Sequence, residues 1–474
     1  MLNDTTPKVT IVGAGLSGSL LAALLGRRGF QVEIYERRGD GRKETARQGR
    51  SLNMTLCARG INALREIGIL EQILPLTIPL KGRIIHGEDS RVIFQSYGRK
   101  PEEVLYAITR HHLNIAVMNL AEATHNVRLF FNKYCTRIEK SNAVAWFQDE
   151  LTSRTIRVRS DMIIGADGTF SCIRREMQCG EIANFHQQVM DGGYKELTIP
   201  AGPNGSFLLE KNALHIWPRP DSLLIAIPNL DGSFTCNLTL ALKGGVSFAS
   251  LKTPSDVMNF FQSRFPDVFP LIPMLSEDFF RNRVSTFVSI ITDPWHFGGQ
   301  VVLVGDACHS VLPFYGQGMN AAFEDCRVLI DCIDRRPGDW AAVFGEFERL
   351  RKPNTDILAQ LSIQNYFELR DGVRSPWFVA RKRVDSLVSW LFPNWYVPLY
   401  TLVAHTTIPY REAVEQFNRR KRWIRYTGLE VLLNLAAAVV MILNYLSRSL
   451  SPAKSPPRSN PNGQRLIGEV AVQK

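Results

Sequence analysis

The sequence lacks the motifs that would assign it to several common classes of protein. None of its eight cysteines forms a CxxC pair or a zinc-ligand cluster with histidine. We therefore expect neither a zinc site nor a catalytic cysteine, and we expect free thiols in a reducing compartment. No unit of about 20–50 residues repeats, which argues against a solenoid or a propeller.

Signals for secretion and for nucleic-acid binding are also missing. The N-terminal segment MLNDTTPKVTIVGAG has no signal-peptide core and no transit-peptide pattern, and it runs straight into an expected strand. The net charge is +11, yet there is no zinc-finger spacing, RNP-like aromatic motif or recognition helix. We predict no nucleic-acid partner. His111 and His112 lack a third ligand at suitable spacing, so we also predict no metal site.

The apolar pattern that is present predicts a βαβ unit at the start of the chain. Val9–Val12 is a short apolar run typical of a buried parallel strand. Leucines at helical spacing follow, and Val32–Tyr35 predicts the second strand. Similar apolar strands, each ending in an acidic residue next to glycine, recur at Asp161–Asp167 and Gln300–Asp306.

The middle of the chain has a different pattern. Four short β-type runs are broken by Gly, Pro, Asn and Asp, which is typical of an antiparallel sheet. The four runs are Tyr194–Pro200, Leu214–Pro218, Leu223–Pro228 and Ser233–Leu242. A chain of 474 residues, 45% of them hydrophobic, has room for two domains and an appendage. We therefore predict an α/β fold: a Rossmann-like nucleotide-binding domain interrupted by an antiparallel-sheet domain, then a helical C-terminal region.

The C-terminal region ends in a candidate membrane anchor. Val431–Leu446 is apolar apart from two asparagines, although it is shorter than the roughly 20 residues that span a bilayer. Trp423 and Tyr426 flank it, and the basic run Arg419–Arg422 precedes it, as is typical of segments at the membrane interface. We predict a terminal membrane helix, with a buried or amphipathic helix as the alternative.

These patterns give the predicted domain boundaries. The nucleotide-binding domain comprises 1–75, 105–178 and 296–370, the sheet domain 76–104 and 179–295, the helical region 371–426, the membrane anchor 427–447 and a disordered tail 448–474.

A glycine-rich motif predicts dinucleotide binding. Gly13, Gly15 and Gly18 are spaced as GxGxxG between the first strand and its helix. This spacing lets backbone amides approach a pyrophosphate at the helix N-terminus. Glu36 ends the second strand, where it can accept hydrogen bonds from a ribose. The motif alone permits FAD or NAD, so an NAD-dependent dehydrogenase remains an alternative at this point.

Two further motifs narrow the choice. Gly165–Gly168 reads GADG after an apolar strand, and Gly305–His309 reads GDACH before the segment Gly316–Asn320, GQGMN. With these motifs in this order, the chain resembles the flavoprotein aromatic hydroxylases. The resemblance implies bound FAD, reduction by NADPH, O2 as co-substrate and a substrate-binding role for the antiparallel sheet. We expect GQGMN to open a helix whose amides face the flavin.

Within that family, several stretches resemble the branch that hydroxylates kynurenine. They are Gly49–Asn53, Glu196–Pro200, Leu214–Arg219, Ala226–Asn229, Pro313–Asp325 and Asn365-Tyr366. The resemblance implies L-kynurenine as the substrate and 3-hydroxykynurenine as the product. It also implies a C-terminal helix in the outer mitochondrial membrane, with the catalytic part facing the cytosol.

The resemblance also implies the binding residues. The substrate contacts are Arg83, Tyr97, Asn365 and Tyr400, with Phe314 and Tyr315 offering ring faces. The FAD contacts are Gly13, Gly15, Leu16, Gly18, Tyr35, Glu36, Arg37, Arg38, Thr55, Arg110, Cys135, Asp167, Asp306, Met319 and Asn320. The residue types suit the ligand, because a guanidinium can bind a carboxylate through two hydrogen bonds. The alternative for Arg83 is a solvated surface arginine. No side chain, His309 included, is assigned as a catalytic acid or base.

Departures from the family pattern leave the exact substrate open. The family's usual SINLALSHRG reads SLNMTLCARG here, so Thr55, Cys57 and Ala58 replace its habitual residues, and Tyr315 replaces a frequent phenylalanine. Two alternatives therefore remain: a related hydroxylase acting on another aromatic acid, and a non-catalytic flavin-binding membrane protein.

Overall fold

The computed structural model describes residues 6–43, 53–180, 183–370, 375–393 and 395–450. The strands are β1 (Lys8–Val12), β2 (Gln31–Tyr35), β3 (Asn53–Leu56), β4 (Ile78–Leu80), β5 (Gly82–His86), β6 (Val92–Ser96), β7 (Leu105–Thr109), β8 (Val127–Phe130), β9 (Lys133–Glu139), β10 (Val144–Asp149), β11 (Thr155–Arg159), β12 (Met162–Gly165), β13 (Asn184–Ile199), β14 (Ala213–Pro218), β15 (Ser222–Pro228), β16 (Phe234–Ala241), β17 (Ser285–Asp293), β18 (His296–Phe297) and β19 (Val301–Leu303). The helices are α1 (Leu16–Gly26), α2 (Ala58–Glu66), α3 (Leu70–Ile73), α4 (Arg110–Ala123), α5 (Cys172–Gln178), α6 (Pro254–Arg264), α7 (Leu275–Arg281), α8 (Asp306–His309), α9 (Gly318–Arg335), α10 (Trp340–Arg370), α11 (Pro376–Leu391), α12 (Leu399–Ala404), α13 (Tyr410–Tyr426) and α14 (Leu429–Leu450).

A six-stranded sheet in the order β18-β19-β12-β1-β2-β8 forms the centre of the first domain. All of its pairs are parallel except the edge pair of β18 with β19. The central strands are continuous apolar runs because helices cover both faces of a parallel sheet. The predicted βαβ unit is confirmed, and α1 is buried over almost its whole length between the sheet, α4 and α9.

A seven-stranded sheet in the order β17-β13-β16-β15-β14-β5-β6 forms the second domain. It is antiparallel, as predicted, except that β14 runs parallel to β5. The polar start of β13, Asn184–Asp191, carries no strand-like alternation, so the sequence placed this strand ten residues too late. Within the predicted segment 76–104, β5 and β6 join this sheet, whereas β4 joins a three-stranded sheet with β3 and β7.

The C-terminal region is helical, as predicted, but its last helix is not a single membrane span. Within the ranges that the structure covers, no helix alone is both long and apolar enough to cross a bilayer. Tyr410–Tyr426 and Leu429–Leu443 meet that test only together, and they bend by 89° at the break between them. The predicted single anchor helix 427–447 is therefore not supported. Of the predicted tail 448–474, the part beyond residue 450 lies outside the described residues, as do residues 49–52 of one family stretch.

Candidate functional site

The glycine loop between β1 and α1 is shaped to receive a phosphate group. Gly13 has φ +105°, and a Cβ built there would lie 2.5 Å from the carbonyl oxygen of Ala166. A Cβ on Gly18 would strike the carbonyl oxygen of Gly13. On Gly15, in contrast, a Cβ would meet nothing within 4 Å, so the N-terminus of α1, where Leu16 begins the helix, faces open space. Two glycines are required by close packing, and the third leaves room for a pyrophosphate.

The acidic residue at the end of β2 borders this loop. The Glu36 carboxylate accepts hydrogen bonds from the backbone amides of Ala14 and Arg38, both at 2.9 Å. Its remaining lone pairs can accept from a ribose. The Tyr35 side chain points the other way, stacked between Phe130 and Phe147 at centroid distances of 4.8 and 4.1 Å. Only the backbone of Tyr35 can therefore face a cofactor.

Arg37 and Arg38 follow on the surface. Both side chains are exposed, and the Arg37 guanidinium lies 5.9 Å from the ring centroid of Tyr134. Neither arginine is held by the core, so their contact with FAD stays a prediction.

The two motif aspartates have different surroundings. The Asp167 carboxylate accepts hydrogen bonds from Ser171 Oγ at 2.5 Å and from the amides of Cys172 and Ile173 at 2.6 and 3.2 Å. It thus stabilises the N-terminus of α5, and burial raises its pKa. The predicted contact residue Cys135 is buried beside Cys172.

Asp306 begins α8 and is half-buried. Its burial raises the pKa of the carboxyl, and the positive charge of Arg110, at the start of α4, opposes that shift. A carboxyl group in this position suits a hydrogen bond with a ligand hydroxyl.

The GQGMN segment opens α9, as predicted, and is held against β3. The Gly316 carbonyl oxygen accepts hydrogen bonds from Thr55 Oγ1 at 3.3 Å and from Asn320 Nδ2 at 3.0 Å. Asn320 also donates to the Thr55 carbonyl oxygen at 2.8 Å and accepts from the amide of Cys57 at 3.0 Å. Asn320 is fully buried, so its amide group fixes the loop, while Met319 is partly exposed.

Four of the predicted substrate residues meet on the sheet side of this loop. The Tyr400 ring stacks on Tyr97 at 5.6 Å and lies 5.5 Å from Tyr315. The charge of Arg83 acts on all three phenols, and Arg83 Nε donates to Gln95 Oε1 at 2.7 Å. Arg83 is thus a half-buried arginine beside a largely buried tyrosine cluster, in which Tyr315 is buried and Tyr97 and Tyr400 are partly buried, and not a solvated surface side chain. Burial raises the pKa of Tyr97 to about 12 and raises the pKa of Tyr400 and Tyr315, so all three hydroxyls stay protonated at neutral pH.

Phe314 and Asn365 form the adjacent wall. Asn365 Nδ2 donates to the Phe314 carbonyl oxygen at 2.6 Å. The Phe314 ring contacts Tyr366 at 4.6 Å and Phe287 at 4.9 Å. Asn365 therefore reaches the wall through the backbone of Phe314, and a direct contact between Asn365 and a substrate stays a prediction.

The sequence did not predict a buried charged network that lies behind the GQGMN segment Gly316–Asn320, called the flavin loop below. Arg351, on α10, pairs with Glu324 at 2.5 Å and with Asp325 at 2.7 Å, both on α9. Asp325 also pairs with His309 and accepts from the Gly305 amide at 3.1 Å. The network ties the GDACH turn to α9. Its one signal in the sequence is an acidic pair in the otherwise apolar stretch after GQGMN.

The same region includes a possible metal-ligand set. Cys308, His309 and Asp325 place ligand atoms within 4.8 Å of one another. Both oxygens of Asp325 are already bound by protein groups, and Cys308 Sγ donates to the Gly305 carbonyl oxygen at 3.2 Å. Burial holds the pKa of the Cys308 thiol well above its usual value. Protein contacts account for the cluster without an ion. All eight cysteines are free thiols, as predicted.

Comparison with known proteins assigns these features to a family. The family described as FAD binding domain matches residues 6–333. The kynurenine 3-monooxygenase of Salinispora arenicola is 43% identical over 444 residues, covering 93% of this chain and 98% of the relative. Those of Myxococcus xanthus (44% identical, 86% of this chain and 88% of the relative) and Dictyostelium discoideum (40%, 85% and 89%) are similar.

Solved structures show the same fold at low identity. A 2-methyl-3-hydroxypyridine-5-carboxylic acid oxygenase superposes with a TM-score of 0.63 at 19% identity, covering 81% of this chain and 98% of that one. PqsL of Pseudomonas aeruginosa, solved with 2-aminobenzoylacetate, superposes with a TM-score of 0.63 at 18% identity, covering 78% and 98%. The glycine loop, the motif aspartates and the GQGMN segment fit FAD. The chain belongs to the kynurenine 3-monooxygenase family of FAD-dependent aromatic hydroxylases.

Proposed function

We propose that this protein hydroxylates L-kynurenine to 3-hydroxykynurenine, using FAD, NADPH and O2. The observation that carries the proposal is the grouping of Arg83 with Tyr97, Tyr400 and Tyr315 beside the GQGMN segment. The sequence relatives that bear the name of this activity support the same substrate.

The pocket residues match the functional groups of kynurenine. The carboxylate of an amino acid can pair with the guanidinium of Arg83, which is a charge-assisted hydrogen bond. Protonated Tyr97 and Tyr400 are hydrogen-bond donors at neutral pH, because burial raises their pKa. The rings of Phe314 and Tyr315 provide apolar faces for a flat aromatic amine.

The protein's side chains position the aromatic ring of the substrate and exclude water from it. When bound, FAD supplies the electron transfer and oxygen activation that side chains lack. The Gly13 loop would hold the pyrophosphate, and α9 would present the amides of Met319 and Asn320 to the flavin. The amino group of the substrate donates electron density into its own ring, so no side-chain base has to activate it. This agrees with the lack of an assigned base in the sequence.

Product analysis tests the proposal directly. Purified FAD-loaded protein is incubated with L-kynurenine, NADPH and O2, and we expect 3-hydroxykynurenine by mass spectrometry. NADH in place of NADPH, and other aromatic acids in place of kynurenine, are the matched controls. Faster turnover of another aromatic acid would point to a related hydroxylase. Bound FAD without any substrate-stimulated NADPH oxidation would support a non-catalytic flavin protein and contradict the proposal.

We infer, as a second function, that the C-terminal helices attach the protein to an anionic membrane. Leu433 and Ala437 of α14 are buried in a cluster with α11, whereas another face of α14 exposes large apolar side chains. The exposed residues are Val431, Leu432, Leu435, Val439, Ile442 and Leu443. The basic run Arg419–Arg422 on the neighbouring α13 favours anionic headgroups. A half-packed apolar helix beside basic side chains suits attachment in the plane of the interface.

Vesicle flotation tests this attachment. We expect the parent protein to float with vesicles containing anionic lipid and the Leu432→Glu variant to bind several-fold more weakly, because a charge is costly in the apolar layer. Val92→Glu, at an exposed apolar position on β6, is the control and should float like the parent. Equal flotation of L432E and the parent would refute the attachment site. The outer mitochondrial membrane, with the catalytic part facing the cytosol, stays a prediction for cell fractionation.

A further inference from the structure

Arg59 on α2 is a fully buried arginine that no predicted role covers. The residue is 2% exposed. Its guanidinium donates to the carbonyl oxygens of Val403, Thr406 and Ile408, the Thr406 contact measuring 3.0 Å. These three carbonyls belong to the segment 403–408, which connects the end of α12 to the start of α13. A single side chain therefore binds three carbonyl oxygens of one turn.

The same guanidinium also contacts side chains of α9 and α13. Arg59 Nε lies 3.3 Å from Glu324 Oε1, and the guanidinium carbon lies 3.9 Å from the ring centroid of Tyr410. Glu324 belongs to α9, one turn after Asn320, and its other oxygen pairs with Arg351. Arg59 thus joins the helix that opens with the flavin-facing amides to the C-terminal segment.

Tyr410 adds a second link to the same loop. Its hydroxyl donates to Gln317 Oε1 at 3.1 Å, and Gln317 immediately precedes α9. Cys57, two residues before Arg59, donates through Sγ to the same oxygen at 3.4 Å. The start of α2, the start of α13 and the GQGMN segment therefore share one set of buried contacts.

The other end of α12 carries a wall of the substrate pocket. Tyr400 lies one turn before Val403 on this helix of six residues, and its ring stacks on Tyr97 and lies tilted against Tyr315. A short helix moves as a rigid unit, so a shift of the turn at Val403 moves the Tyr400 ring. The position of Tyr400 over the substrate is thus linked to the position of the flavin loop.

We propose that Arg59 is a positioning residue that locks the segment 403–408 to the flavin loop and so holds Tyr400 in the substrate pocket. This inference rests on the proposed function of the pocket. Lysine cannot replace Arg59, because its single ammonium cannot reach three carbonyls and a carboxylate in the fixed geometry of a guanidinium. Loosening the turn leaves Tyr400 misplaced, and misplacement of about 1 Å costs on the order of 100-fold in rate.

Replacing an arginine that has only a structural role would lower stability without misplacing Tyr400 or lowering the rate. Arg219 provides the matched control for that case. Arg219 is 3% exposed and also donates to three carbonyl oxygens, those of Arg264, His86 and Pro218. It lies at the turn between β14 and β15, and its guanidinium also lies 3.7 Å from the Asp267 carboxylate. Arg59→Lys and Arg219→Lys therefore make the same chemical change in two places.

The experiment compares the FAD-loaded parent with R59K, R219K and Tyr410→Phe. We measure hydrogen exchange of 399–408, the change in flavin absorbance during kynurenine titration, and the peroxide formed per NADPH consumed. For R59K we expect exchange of 399–408 faster by on the order of tenfold, a several-fold higher KM for kynurenine and a higher peroxide yield. Tyr410→Phe, which loses one hydroxyl, should change in the same direction by less. R219K should change thermal stability alone.

Two outcomes overturn the inference. In the first, R59K matches R219K, with lower thermal stability but unchanged exchange, KM and peroxide yield. In the second, R59K does not fold, and Tyr410→Phe leaves both KM and the exchange of 399–408 unchanged. Failure of the proposed function is distinguishable, because the parent itself would then give no 3-hydroxykynurenine, and exchange of 399–408 still shows whether Arg59 locks the turn.

Discussion

Replacing Arg83 by methionine is expected to raise the KM for kynurenine on the order of 10- to 100-fold while FAD stays bound. The variant keeps an unbranched apolar side chain and removes the cation whose charge acts on Tyr97, Tyr315 and Tyr400 together. A hydrogen bond to a charged group contributes about 1.5–3 kcal/mol, and each 1.4 kcal/mol is about tenfold in affinity. Steady-state kinetics and the flavin absorbance of the purified variant are the measurements.

Arg91→Met is the matched control for this variant. Arg91 precedes β6, in the turn that connects it to β5, and its side chain is 47% exposed in a surface pair with Asp89. Surface pairs contribute little, so KM should stay within about twofold of the parent. An unchanged KM in the Arg83→Met variant would show that Arg83 does not bind the substrate. Loss of FAD in that variant would instead show that Arg83 supports the cofactor domain.

Replacing Arg351 by methionine is expected to lower the free energy of unfolding by about 3–5 kcal/mol, because it removes the cation that two buried carboxylates share. Glu324 and Asp325 both pair with Arg351 and are buried with it. Burial alone would raise the pKa of Asp325, but His309 and Arg351 hold it below its usual value. Urea denaturation of the FAD-loaded protein, followed by flavin fluorescence, measures the loss.

The stabilisation that Asp325 contributes should depend on pH, in a direction that follows from its lowered pKa. A carboxyl group with a lowered pKa in the folded protein stabilises the fold above its unfolded pKa, and the stabilisation is lost as pH falls through the folded value. The parent should therefore lose this contribution in acid, and the Arg351 variant should show a weaker dependence. Arg336→Met, whose partner Glu346 lies at the surface end of the same pair of helices, should cost less than about 1 kcal/mol. Equal losses in the two variants would contradict a special role for the buried network.

Features set by neighbours along the chain could be predicted from the sequence. The GxGxxG spacing, the apolar runs of β1 and β2, and the helix that opens at Gly318 all depend on residues within about one turn or one strand of each other. The start of β13 was missed for the opposite reason. Its polar first half, Asn184–Asp191, forms a strand because it pairs with β17, about 100 residues later.

The packing of the predicted membrane anchor also depends on residues that are distant in the sequence. The sequence records that residues 431–446 are apolar, but it does not record which face of the helix is already covered. In the structure, Leu433 and Ala437 are buried in a cluster that includes Ala380 and Val384 of α11. The helix therefore uses part of its apolar surface within the protein, and among the described residues it is not by itself long and apolar enough to cross a bilayer.

By itself, the sequence determined the dinucleotide loop, the order of the motifs and, through its resemblance, the family. Each of these depends on residue types at short spacings. Only the tertiary structure decided that Arg83 faces a tyrosine cluster, and that Arg59 holds a turn 344 positions away in the chain. A guanidinium is buried only where several separate segments supply carbonyl and carboxylate oxygens together. Such a site has no pattern along the chain, because it exists only after those segments have packed.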